Sequence, residues 1–229
     1  MKKIIFLLTC LLAVFVYQHA DAQAIRIYKE GKIVQTITVA EFDSIVSVGY
    51  LETEEEFVDL GLSVKWASRN LGAKFPEDYG DYYAWGETNP KRIYDEENSL
   101  ILGKKMSDIG GNPKYDAATA HCGKGVRLPT KVEIQELIEN TTTTWTERNG
   151  IKGRLVISKI NGNSMFLPAA GIRYGASLNG AGGYGYYWSS TPNGDVDYLA
   201  YYLYFYSGNF YGDWYFRYSG HSVRPVREK

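Results

Sequence analysis

The chain has 229 residues and a formal net charge of −1, which leaves no surplus of positive charge for a nucleic-acid groove or a polybasic membrane-binding face. Hydrophobic residues make up 45% of it, enough for one domain of ordinary core size with a small appendage. Its two cysteines, Cys10 and Cys122, exclude a disulfide-stapled scaffold. Residues 1–22 read as a secretory signal peptide: Met1-Lys2-Lys3 is a basic start, Ile4 to Val16 is apolar, and Ala20-Asp21-Ala22 is an A-x-A cleavage site. The apolar run is too short to span a bilayer. Lipidation at Cys10 is the alternative, but only Ile4 to Thr9 precede it within the apolar run. Cleavage after Ala22 removes Lys2, Lys3 and Asp21, a net +1, so the mature charge is −1 minus 1, or −2. Cys122 is then the single cysteine, and packing must hold the fold.

Residues 23–50 predict a small β module. Ile25, Ile27, Ile33, Ile37 and Val39 suggest two strands turned at Lys29-Glu30-Gly31-Lys32, and Ala40 to Val46 closes the unit. The segment resembles a short N-terminal module of Bacteroidetes surface proteins. Residues 51–56 include the acidic run Glu52 to Glu56 and read as a solvated linker.

The main domain spans residues 57–229. Thr130 and Glu133 form a capping box, and Ile134, Leu137 and Ile138 then place an apolar stripe on one helix face. The β-branched run Thr141 to Thr144 ends that helix. A second, shorter helix is expected over Asp116–Ala120. From Ile151 onward the pattern is strands and turns. Asn149-Gly150 and Asn161-Gly162 flank Leu155-Val156-Ile157, and Met165-Phe166-Leu167 follows. Tyr201, Leu203 and Phe205 alternate with Tyr202, Tyr204 and Tyr206 before a turn at Ser207-Gly208-Asn209, and a last strand is expected at Ser222–Val226. Helices early and short strands late predict an α+β domain.

Several phrases carry a resemblance to a known family. They are Phe57 to Ala67 (FVDLGLSVKWA), Tyr83 to Glu87 (YAWGE), Arg127 to Thr130 (RLPT), Phe166 to Gly171 (FLPAAG), Tyr187 to Thr191 (YWSST) and Ser222 to Val226 (SVRPV). In this order they resemble the Fibrobacter succinogenes major paralogous domain family, which is similar to C-type-lectin-like and formylglycine-generating-enzyme-like domains. The resemblance implies an α+β, C-type-lectin-like domain with a twisted antiparallel sheet, two helices and long loops. Formylglycine-generating chemistry would need more thiols than Cys122 alone provides. Cys122 itself reads as a small buried hydrophobe.

Catalytic and metal motifs find little support. Gly180 to Gly185 spells G-x-G-x-x-G, but Tyr186-Tyr187-Trp188 does not open a helix, so a phosphate cradle is not expected. Asn193, Asp195 and Asp197 alternate like part of a calcium loop, without the further ligands such a site needs. G-x-S-x-G and H-E-x-x-H are absent. The distinctive feature is tyrosine: eleven of 20 lie between Tyr184 and Tyr218. If Leu203 and Phe205 face the core, Tyr202, Tyr204 and Tyr206 face away from it. Tyr, Ser, Gly and Asn together are the palette of antibody binding loops. A cross-strand tyrosine ladder that stiffens the sheet is the structural alternative. The expected binding surface comprises Tyr184, Tyr186, Tyr202, Tyr204, Tyr206, Tyr211, Trp214, Tyr215 and Tyr218, with Asp213, Arg217 and His221 supplying polar contacts. Expected, then, is an exported, non-catalytic module for a glycan or protein ligand, without cofactor, metal, nucleic acid or transmembrane helix. Residues 184–221 are also rich in the types that adenine-directed mutation produces, so a diversified retroelement-type receptor is a refinement. A structural subunit of a surface assembly, or an enzyme with an unrecognised carboxylate or metal site, is the alternative.

Overall fold

A computed structural model describes residues 57–229 and, ahead of them, three strands: β1 (Val14–Phe15), β2 (Ala24–Lys29) and β3 (Lys32–Thr38). The chain divides into two compact units, Met1–Thr53 and Glu54–Lys229. In the first, β2 and β3 form the hairpin expected from the sequence, paired from Ala24↔Thr38 to Lys29↔Lys32. β1 adds to it through Val14↔Ile27 and Phe15↔Arg26, and comes from the stretch the sequence assigns to the signal peptide. The rest of that stretch, the turn residues Glu30 and Gly31, Val39, the closing phrase Ala40 to Val46 and the acidic linker lie outside the described residues.

The second unit runs β4 (Phe57–Val58), β5 (Val64–Ala67), α1 (Ala117–Cys122), β6 (Val126–Arg127), α2 (Lys131–Asn140), β7 (Thr141–Arg148), β8 (Ile151–Ser158), β9 (Ser164–Pro168), β10 (Ile172–Tyr174), β11 (Ser177–Asn179), β12 (Gly185–Pro192), β13 (Leu199–Phe205), β14 (Phe210–Phe216) and β15 (Val226–Glu228). Its sheets are β4-β5-β15-β6, β7-β8-β9, β10-β11 and β12-β13-β14. All their strand pairs are antiparallel. No helix among the described residues is long and apolar enough to cross a membrane.

The local signals act as the sequence suggests. Thr130 Oγ1 accepts from the Glu133 backbone N–H at 3.2 Å, while Glu133 Oε2 accepts from Thr130 N–H at 2.7 Å, closing the capping box. Arg127 reinforces it with a two-pronged contact to Glu133, at 2.9 and 2.7 Å. Ile134 and Leu137 of α2 are buried. α1 starts at Asp116, whose carboxylate accepts from the backbone N–H of Gly111, Thr119 and Leu128. Burial pushes the Asp116 pKa up, and those donors partly offset it. The β7–β8 hairpin turns at Asn149 and Gly150, both at positive φ (49° and 81°), the conformation a tight two-residue hairpin loop requires.

The architecture corrects the expected fold class. Strand accounts for 39% of the structure and helix for 9%, so the domain is mainly β, built from several small antiparallel sheets, and no α+β C-type-lectin-like pattern is established. The physical reason lies in what surrounds the two helix signals. α1 and α2 have 6 and 10 residues, and the Thr141–Thr144 run that stops α2 is itself the start of β7. The long stretch between β5 and α1 runs in turns, bends and isolated bridges. The last strand is also shifted: β15 begins at Val226, the last residue of the expected span. Pro225 before it has no N–H to give a ladder.

Two large apolar clusters and a small third one, of Tyr82, Ala84, Tyr94 and Ala170, fill the domain. The first gathers Leu60, Trp66, Ile134, Leu137, Val156, Leu167, Tyr187, Tyr201, Leu203 and Phe205. The second gathers Leu71, Tyr83, Trp85, Ile101, Leu128, Trp188, Tyr202 and Val223. The sheet β12-β13-β14 contributes alternate residues to each, and this placement decides which tyrosines meet solvent. Cys122 is half-buried at the edge of the second cluster, not fully enclosed as expected.

Candidate functional site

The period-two pattern of β13 places Tyr201, Leu203 and Phe205 in the first cluster, so Tyr202 and Tyr204 project from the opposite face. Register extends that face across the sheet. Tyr186 of β12 lies opposite Tyr204, and Trp188 opposite Tyr202. On the other side Tyr204 meets Tyr211, Tyr202 meets Asp213, and Ala200 meets Tyr215. Tyr184 and Tyr206 sit at the end where β13 turns into β14. The rings touch in a continuous set. Tyr184 contacts Tyr204 and Tyr206 at 6.2 and 6.1 Å between centroids. Tyr204 meets Tyr211 edge-on at 5.3 Å, and Tyr186 at 5.0 Å. Tyr186 in turn lies parallel to Tyr202 at 5.8 Å. Offset and edge-on pairs of this kind hold their rings in fixed orientations.

Exposure falls steeply along this face. Tyr184 is 42% exposed and Tyr211 39%. Asp213 is also exposed, and Tyr186, Tyr204, Tyr206 and Tyr215 are half-buried. Tyr202 is only 5% exposed, because the second apolar cluster covers it. Burial raises the pKa of Tyr202 and of Tyr186, so both are neutral phenols. The outer rings are anchored locally. Gly180, at φ +68°, lies beneath the Tyr184 ring, where an added Cβ would come within 2.8 Å of it. Asn209 Nδ2 donates to the Tyr206 hydroxyl at 3.0 Å.

Several residues expected on the surface are elsewhere. His221 is fully buried, stacked 3.7 Å from Trp188 and ringed by Tyr202, Tyr215 and Tyr186 at 5.1, 5.3 and 5.4 Å. Paired backbone bonds with Tyr83 hold it there. Arg217 is buried too: Nε donates to Leu199 O at 2.9 Å, Nη1 to Lys104 O at 3.0 Å, and the guanidinium lies 4.5 Å from the Trp85 ring. Tyr218 is enclosed against Phe216 and Tyr174. Trp214 belongs to the opposite face, edge-on to Tyr201 at 5.0 Å with Lys131 over both rings. Tyr202, Arg217, Tyr218 and His221 are therefore buried packing residues, and Trp214 lies on the opposite face from the tyrosine row. The expectation that these side chains stand in solvent is corrected accordingly.

Sequence reasoning missed exposed aromatics at the other end of the sheet. Tyr198 and Phe216, 48% and 38% exposed, lie parallel at 6.0 Å, and Tyr174 is exposed beside Tyr218. Tyr198 stands just outside β13, so strand alternation gave no signal for it. The glycine-rich segment before β12 is a turn and not a helix start. Asn193 Oδ1 accepts from the N–H of Asp195 and Val196, which makes the acidic alternation there a side-chain-capped turn. Among the described residues, no group of three or more His, Cys, Asp or Glu side chains is arranged to hold a metal ion.

A family model described as a domain of unknown function (DUF8237) matches residues 136–226. That stretch begins within α2, ends at the first residue of β15, and contains the whole tyrosine face. Searches of curated proteins and of solved structures returned no match.

Proposed function

We propose that the chain is an exported, non-catalytic binding module, and that the outer end of the tyrosine face is its contact surface for a glycan or protein ligand. The observation that carries this reading is the group Tyr184, Tyr204, Tyr206 and Tyr211. Two of these rings are well exposed, and Tyr204 touches the other three on a hydrogen-bonded sheet. Rings already fixed in place lose little freedom when a ligand arrives. Each offers an apolar face for stacking and a hydroxyl for hydrogen bonding. Asp213 adds an exposed acceptor in the neighbouring row. The basic, apolar and A-x-A segments at the start of the chain support export.

The inner rings favour the ladder role instead. Tyr202 is buried against Trp188, Tyr215 and His221, and half-buried Tyr186 packs on Tyr202 and His221. The relationship to the Fibrobacter succinogenes major paralogous domain family is part of the same proposal and rests on the shared phrases between Phe57 and Val226. A diversified receptor would, on this geometry, vary at Tyr184, Tyr206, Tyr211 and Asp213 and spare the buried positions.

The test is a glycan and protein array probed with the purified protein, followed by titration of the strongest binder against the Tyr184→Ala/Tyr211→Ala double variant. Affinity should fall roughly tenfold or more, as for aromatic anchors in known interfaces. The thermal midpoint should stay within a few degrees, as for surface substitutions. Unchanged affinity in the double variant, or an array with no binder, counts against the reading.

A further inference from the structure

We infer that a second site, a cleft beside β10, takes a small anionic group, a carboxylate or a phosphate, seated by Arg173. The cleft encloses about 730 Å³ and is lined by residues 80–82 and 90–94 together with Arg173 and Ala176. Ligand pockets for small molecules fall in this range. The site is separate from the tyrosine face and does not depend on that reading.

Its floor is rigid and chemically spent. Tyr82 and Tyr94 are 7% and 1% exposed. The Tyr82 hydroxyl donates to Ala170 O, and the Tyr94 hydroxyl donates to Tyr82 O and accepts from Lys91 N–H. Neither hydroxyl competes for a ligand, so the two rings act as a platform. Over that platform the Arg173 guanidinium lies 5.3 Å from the Tyr82 ring centre. The Arg173 backbone is clamped to Gly220 through both its N–H and its carbonyl, at 2.8 and 2.9 Å. The cation–aromatic contact helps to hold the guanidinium over the platform, and a guanidinium is suited to a planar, two-pronged contact with an anion.

The charge is unspent as well. None of the ion pairs among the described residues involves Arg173 or the rim residue Arg92. Lys91 does not add to the surplus, because Glu87 neutralises it at 2.9 Å. Asp81 is the single acidic residue of the lining. Two arginines against one aspartate leave the cleft with a net charge of +1. An unpaired, half-buried arginine fork on an aromatic floor is the arrangement that recognises carboxylate and phosphate oxygens.

Calorimetric titration of the purified protein with glucuronate, glucose and inorganic phosphate separates the sources. Saturable binding of glucuronate alone identifies a carboxylate site, of phosphate alone a phosphate site, and of both a general anion site. Glucose should not bind here. Arg173→Gln should weaken anion binding roughly tenfold or more, and Arg173→Lys should recover only part of it, because an ammonium lacks the fork. The Tyr184→Ala/Tyr211→Ala variant should bind the anion as the parent does, which separates this site from the tyrosine face. If Arg173→Gln does not fold, the exposed Arg92→Gln substitution takes its place and should also weaken binding. Failure of both anions to bind, or equal affinity in the folded arginine variants, overturns the inference.

Discussion

Substituting methionine for Arg224 is expected to lower the unfolding free energy by about 3 kcal/mol or more, because each buried acceptor stripped of its donor costs about 1–3 kcal/mol. Arg224 is 1% exposed. Its Nε donates to Asn70 Oδ1 at 2.9 Å, Nη1 to Ala67 O at 3.0 Å, and Nη2 to Phe166 O at 2.9 Å. One side chain thus joins the end of β5, the loop after it and β9. Asn70 passes the connection on, donating to Tyr79 O at 2.9 Å and to the Tyr187 hydroxyl at 3.3 Å. Tyr187 in turn donates to Pro168 O at 2.7 Å, and burial pushes its pKa up to about 12. Methionine fills similar space but satisfies none of the three acceptors. Arg224→Lys should fall between parent and methionine variant, since one ammonium cannot reach three acceptors in a plane. Urea unfolding of the three proteins measures the difference, and a loss below 1 kcal/mol for methionine would show that the network is not what ties these segments together.

The second large effect is on pH. His221 is completely buried among Trp188, Tyr186, Tyr202 and Tyr215, and neither ring nitrogen has a hydrogen-bond partner among the described residues. Burial holds its pKa well below the ordinary histidine value. In the unfolded chain the imidazole titrates normally, near about 6.5. Below that pH the unfolded state takes up a proton that the folded state refuses. Stability from this group is therefore complete above the unfolded value and is lost as the pH falls beneath it. The slope approaches about 1.4 kcal/mol per pH unit until the folded-state value is reached. The tyrosines facing His221 are neutral throughout this range, their pKa values raised by burial, so they do not mask the effect. His221→Phe keeps a ring against Trp188 and removes the titration. Denaturation between pH 8 and pH 5, values chosen to bracket the histidine range, should show a falling stability in the parent and a flatter profile in the variant.

The parts of this architecture that the sequence announces are those set by near neighbours. The Thr130–Glu133 capping box needs only residues three apart. The Asn149-Gly150 hairpin needs only two residues that tolerate positive φ. The alternation of β13 needs only a period of two, and it correctly separated Tyr201, Leu203 and Phe205 from Tyr202 and Tyr204. The cover over the second face of β12-β13-β14 could not be read in the same way. It comes from Leu71, Tyr83, Trp85, Ile101 and Leu128, most of them in a stretch with no repeating period. A face that alternation marks as pointing away from one core can thus enter another, and this is why Tyr202 and His221 are buried. Arg217 followed the same logic. Its charge suggested solvent, but its backbone carbonyl accepts from Trp85 N–H, which draws the side chain beneath that ring. Both helices lie where the sequence placed them; the fold class was misjudged because the short strands of the first half, β4, β5 and β6, are too brief to show a period of two.

The division of the tyrosine face into a buried inner part and an accessible outer part is tested most directly by nitration of the native protein with tetranitromethane, mapped by mass spectrometry. Tyr184 and Tyr211 should be modified, with Tyr174 and Tyr198 beside them, while Tyr187, Tyr202 and Tyr218 stay unmodified until the chain is unfolded. Equal labelling of Tyr202 and Tyr184, or protection of both Tyr184 and Tyr211, would contradict the account.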